Sequence, residues 1–247
     1  MLSREERGWW PWIPLLVVEG LYVRVATARL PPAKDRRGRT GAQTGGAIKI
    51  AGLGDSIIAG IGVQSQREGL LGQVSERVAE RTGRPVEWEA IGFSGATSQV
   101  VLDRLLPEAA RAEPELAVLS VGVNDAVRGT RPRDFKDRLA AIVDGLTATR
   151  RQPSVVFGGI PPLARFPALP WPLSRVLGGR AARLQQAAID LTGYRGLKVV
   201  VFPSRLARAG FSSDGFHPGP AGCADWSRWV ADGMSLRLET LRDARWD

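Results

Sequence analysis

The chain has 247 residues, 44% hydrophobic and 24% charged, enough for one α/β domain with a well-buried core. Its formal charge of +9 is carried mostly by arginine. No zinc-finger spacing, RNP-like aromatic motif or long basic helix accompanies that charge, so nucleic acid is not an expected partner. One cysteine, Cys223, excludes an intrachain disulfide, and one histidine, His217, excludes zinc sites built on several histidines or on Cys/His clusters.

Taken in chain order, the first notable segment is the apolar run "WWPWIPLLVV", Trp9 to Val18. Glu19, Arg24 and two prolines interrupt or closely follow it, leaving it short of the about 20 residues that span a bilayer. Three readings stand: a membrane-surface anchor over residues 9–25, an arm packed on the domain, or a signal peptide cleaved near Ala26–Ala28. The acidic residues in "LSREER" and the charge of Arg24 weigh against the last. The tryptophan cluster, followed by Arg29, Lys34, Arg36, Arg37 and Arg39, favours the first. The location expected on this basis is cytoplasmic or membrane-associated, with secretion as the alternative.

Residues 31–47, rich in Pro, Gly and charge, read as a linker, which makes residues 1–47 an arm and 48–247 the folded domain. From there apolar strand-like runs alternate with helical patterns. The strands are expected at Ile48 to Leu53, Val86 to Ile91, Leu116 to Val121, Ser154 to Ile160 and Leu197 to Phe202. Helices are expected near Gly69 to Arg81, Ser98 to Arg111, Pro132 to Arg150 and Arg175 to Thr192, and from Gly219 towards Arg242. This alternation implies an α/β fold, a five-stranded parallel sheet with helices on both faces. Right-handed crossovers then bring the loops after the strands to one edge.

Those loops carry the polar and glycine-rich pieces. "GDS" with Ser56 follows the first strand, which should lead directly into a helix. "GFSGATS" with Gly95 follows the second, "GVND" with Asn124 and Asp125 the third, and "SSDGFHPG" with Asp214 and His217 the fifth. Serine needs a base to become a useful nucleophile. Imidazole is the side chain suited to that task near neutrality. Asp214, three residues before His217, can accept from the other ring nitrogen and fix the tautomer. The Ser56 N–H, the Gly95 N–H and the Asn124 side-chain amide are candidate donors to a developing oxyanion. Asp55 and Asp125 are read as structural, Asp125 through a bond back into the first loop.

These blocks resemble the SGNH, or GDSL-type, hydrolases over roughly residues 48–234, with Ser56 in "GDSI", Gly95, Asn124 in "GVND" and His217 in "DGFHP". The bacterial lysophospholipase/thioesterase branch is especially similar. The resemblance implies a flavodoxin-like three-layer α/β/α sandwich and hydrolysis of carboxylic esters or thioesters through an acyl-enzyme, with no metal and no cofactor. It assigns Asp214 as the acid. Ile57 replaces the usual leucine, and Val123 stands where glycine is common.

The loop "PPLARFPALPWPLSRVLG", Pro161 to Gly178, is long and apolar. Phe166, Leu169 and Trp171 are its candidate substrate-binding residues, with sheet-edge cover or membrane contact as the other reading. The expected partner is a small-molecule acyl ester. The competing functions are an acyltransferase on the same fold and a non-catalytic binding module. "GDSIIAG" lacks the Gly-Lys-Ser/Thr ending of a phosphate loop.

Overall fold

The computed structural model describes residues 9–42, 44–203 and 206–234, together with 239 and 241. Among the described residues the sheet has six strands, in the order β1-β3-β2-β4-β5-β6. They are β1 Arg37–Thr40, β2 Ile48–Gly54, β3 Val86–Gly92, β4 Leu116–Ser120, β5 Ser154–Phe157 and β6 Lys198–Val199. The last five are parallel, as expected, and β1 is an antiparallel addition on the β3 edge.

The helices are α1 Ile13–Ala26, α2 Leu70–Thr82, α3 over 98–111, α4 Val123–Arg128, α5 Pro132–Thr147, α6 Leu173–Ile189 and α7 Pro220–Gly233. Helix α3 contains a π-helical turn over Val101–Leu105. Strand residues alternate between the two faces of the sheet, and this sorts the core into layers. Ile48, Ile50, Leu116 and Val118 pack with Leu70 and Val74 of α2 and Trp226 and Val230 of α7. Ala51, Leu53, Ala117 and Leu119 pack with residues of α3, α5 and α6 on the opposite face. Burial on both faces explains why these strands read as continuous apolar runs. The result is a three-layer α/β/α sandwich.

Three expectations change. Residues 37–40, read as linker, form strand β1. Arg37 lies opposite Glu89 and Arg39 opposite Glu87, with ion pairs at 2.5 Å and 3.5 Å. Between them Trp88 covers Gly38 so closely that a Cβ there would lie 2.2 Å from the indole. Cross-strand charge pairs of this kind stabilise a sheet edge. Ser56 is followed by a run of turns, not a helix, and α2 begins only at Leu70. Finally, the sixth strand spans two residues instead of the six of Leu197 to Phe202, because the chain leaves the sheet after Val200, whose N–H makes the last bond to β5, at the Phe157 carbonyl. The helix expected to run towards Arg242 is described as far as Gly233, and its extension lies largely outside the described residues.

Candidate active site

Strand β2 ends at Gly54 with φ +153°, where a Cβ would sit 1.8 Å from the Ser120 carbonyl oxygen. Glycine therefore lets the chain cross β4 closely and turn, and the Asp55 N–H donates to that same oxygen at 3.0 Å. The turn carries Ser56 to the carboxyl edge of the sheet. From the far side comes the segment after β6, closed by a bridge between Phe211 and Pro218 and by the Ser212 N–H donating to the His217 carbonyl at 2.8 Å. This small loop holds Asp214 and His217.

The two segments meet. Ser56 Oγ lies 3.0 Å from His217 Nε2, and His217 Nδ1 lies 2.6 Å from Asp214 Oδ2. The other carboxylate oxygen of Asp214 accepts from Ser212 Oγ at 2.7 Å and from the Phe216 and His217 N–H groups at 2.9 Å each. Burial works to raise the Asp214 pKa, but the hydrogen bonds from His217, Phe216 and Ser212 outweigh it and hold the carboxyl well below its usual range. Asp55 is the converse. Its carboxyl is 2% exposed, and burial pushes it up to about 7. The Ile57 N–H, donating at 3.1 Å, and the charge of His217 only partly oppose that rise.

Gly95 and Asn124 stand on the adjoining strand ends. Gly95 has φ +86°, and a Cβ there would meet nothing within 4 Å. The backbone angle, not crowding within the protein, is what favours glycine. Neither the Ser56 nor the Gly95 N–H donates a hydrogen bond among the described residues. Asn124 falls in the first turn of α4, a helix that sequence reading missed although Asp125 in its first turn is a usual start signal. Its amide gives one hydrogen to the Ala96 carbonyl at 3.0 Å, which orients the group and leaves its second hydrogen.

Asp125 is fully buried, but it does not reach the first loop as expected. It bonds to the second, accepting from the Ser98 N–H at 2.8 Å and Ser98 Oγ at 2.6 Å, and also from Thr130 Oγ1 at 3.2 Å.

A cavity of about 240 Å³ opens beside Ser56 and His217. Six Phe and Trp side chains stand in its wall: Phe166, Phe202, Phe211, Phe216, Trp226 and Trp229. Phe166 stacks edge-on against both Phe211 and Phe216, at 5.1 and 5.2 Å. Of the three residues expected to bind substrate, Phe166 alone lines this cavity. Leu169 is buried in the core of the α3-α5-α6 face. Trp171 points away, 64% exposed, with its ring edge-on to Trp12 at 5.5 Å. The other wall residues went unnoticed in sequence, although Phe211 and Phe216 bracket "SSDG" and Trp226 and Trp229 share one helix face. Among the described residues, no group of three His, Cys, Asp or Glu side chains is arranged to hold a metal ion.

Comparison with known proteins gives a consistent picture. The profile of the GDSL-like lipase/acylhydrolase family matches residues 53–224. The GDSL-like esterase Rv1075c of Mycobacterium tuberculosis is 32% identical over 180 residues, 67% of this chain and 55% of that protein. The chain thus spans little more than half the length of that relative. Esterase TesA of Pseudomonas aeruginosa is 28% identical over 178 residues, covering 71% of this chain and 82% of that protein. In fold, the chain is similar to the lipase/acylhydrolase from Enterococcus faecalis, with a TM-score of 0.60 and 22% identity over 77% of this chain and 96% of that one.

Proposed function

The chain belongs to the GDSL-like lipase/acylhydrolase family, and from that premise we propose that it is a serine hydrolase that cleaves carboxylic esters or thioesters through an acyl-enzyme. The observation that carries this reading is the continuous relay from Ser56 Oγ to His217 Nε2, and from His217 Nδ1 to Asp214, at 3.0 and 2.6 Å.

The chemistry follows from the groups in place. Ser56 Oγ attacks the acyl carbonyl while His217 Nε2 takes its proton. Asp214, held as a carboxylate by its hydrogen bonds, keeps the Nδ1 proton on the ring and stabilises the imidazolium that forms. The Ser56 and Gly95 N–H groups and the second amide hydrogen of Asn124 receive the oxyanion. Collapse of the tetrahedral intermediate expels the alcohol or thiol, which takes the proton from His217. Water, deprotonated by the same nitrogen, then attacks the acyl-Ser56 ester and releases the carboxylic acid and the free serine. The aromatic cavity beside Ser56 suits an apolar acyl chain.

A fluorophosphonate probe tests the reading. The parent protein should label stoichiometrically, and Ser56→Ala should not label. Equal labelling of the two proteins sinks the assignment of the nucleophile.

A further inference from the structure

Helix α1 is apolar nearly all round, with its one carboxylate turned inward. Its half-buried positions are Leu16, Glu19, Gly20 and Val23, the three- and four-residue spacing of one helix face. Val23 packs against the core of the domain. Glu19, the one acidic residue of the helix, lies on this inner face and accepts from the Leu173 N–H at 3.0 Å, at the start of α6. The outer face is aliphatic and aromatic. Val17, Val18, Leu21, Tyr22 and Val25 are between 55% and 85% exposed. Trp171 extends that face through its contact with Trp12. It sits on the same loop as Phe166 of the cavity wall. Soluble monomers rarely leave apolar surface of this extent open to water.

Charge selects the partner. Arg29 and Lys34 follow α1 in the chain, and Arg165 and Arg175 stand on either side of Trp171. All four are exposed. Among the described residues none of them is paired with a carboxylate. With Glu19 turned inward, the charges that come next in the chain after α1, Arg29 and Lys34, and on either side of Trp171, Arg165 and Arg175, are cationic. A second copy docking on this face would bring the same cations against the first, whereas an anionic lipid headgroup layer complements them. The helix has 14 residues, and no helix among the described residues is long and apolar enough to cross a membrane. Too short to span a bilayer and docked on the domain along one face, the helix can offer a membrane only its exposed side.

We propose that the outer face of α1, with Trp12 and Trp171, seats this protein on an anionic lipid surface, α1 lying flat at the headgroup level. The inference uses no step of the hydrolytic reading, and its test reads binding alone. The full chain is sedimented with vesicles of phosphatidylglycerol and phosphatidylcholine in equal parts, and with vesicles of pure phosphatidylcholine. The wild type should bind the anionic vesicles on the order of a hundredfold more tightly at low salt, with the difference shrinking as salt rises. The double variant Val18→Asp/Leu21→Asp should lose roughly a hundredfold of that binding while its thermal melt superimposes on the parent's, since both positions are solvent-facing. Two results overturn the proposal: a wild type that stays in the supernatant with anionic vesicles at low salt, or a variant that sediments as well as the parent. A third does too: a concentration-dependent dimer, abolished in the variant, with no vesicle binding.

Discussion

Two buried carboxyls sit near the same imidazole and are held in opposite ways. Asp214 lies in the small loop after β6, where a ring nitrogen, two backbone N–H groups and a serine hydroxyl surround it. Asp55 lies in the turn after β2, where the Ile57 N–H is its donor among the described residues. Both are desolvated, yet one titrates well below the usual carboxylate range and the other near 7. Burial sets the cost of a charge; the donors the local backbone supplies decide whether the charge survives. The loop after β6 is built to keep a carboxylate ionised, and the turn after β2 is not.

Variants can break or sharpen this contrast. Ser56→Ala or His217→Ala should show the largest effect, a loss of kcat on the order of 10⁶ on p-nitrophenyl esters with an unchanged melt. Retention of more than a few per cent of parental kcat contradicts the relay. Asp214→Asn should cost about 10⁴ in kcat, because the amide cannot hold the same tautomer. Asn124→Ala should cost roughly 10²–10³, expressed in kcat rather than KM, as expected for a donor that engages the transition state.

Asp55→Asn tests the other carboxyl through stability. Between about 4 and about 7 the folded chain holds a proton on Asp55 that the unfolded chain has released, so this group makes stability fall as pH rises across that window. Asp214 acts with the opposite sign: its contribution is present above the unfolded carboxylate pKa and is lost as pH falls through its depressed folded value. The Asn variant should therefore gain on the parent as pH climbs from 4 to 7, by roughly 5 °C in Tm at the top, and the gain should then level off. A gain that is constant across pH removes the titration from the account. The smallest effect belongs to Trp171→Ala, which should leave turnover of soluble esters within about twofold. Phe166→Ala should lower turnover of long-chain esters by roughly tenfold relative to acetate esters.

Much of this architecture was legible in the sequence because it rests on local patterns. Strands β2, β4 and β5, buried on both faces over most of their length, announce themselves as apolar runs, and glycines with polar residues mark the turns between them. The pairing of Ser56, His217 and Asp214 followed from requiring their loops to share one sheet edge. What escaped depends on contacts between distant residues. Strand β1 is held by Arg37 and Arg39 finding Glu89 and Glu87 some fifty positions away, and in isolation it looks like a charged linker. Trp171 reads as cavity wall by its place in an apolar loop, and only the position of Trp12 draws it to the other side. The aromatic lining contributed by α7 is likewise indistinguishable in sequence from ordinary core.

Asp125 ties Ser98 to Thr130, so one buried side chain fastens the segment bearing Gly95 to the segment bearing Asn124. The two segments behave as a single mechanical part. Replacing Ser98 alone would take a hydroxyl donor from a buried carboxylate, so substrate preference should be re-engineered by exchanging residues 95–98 and 122–130 together.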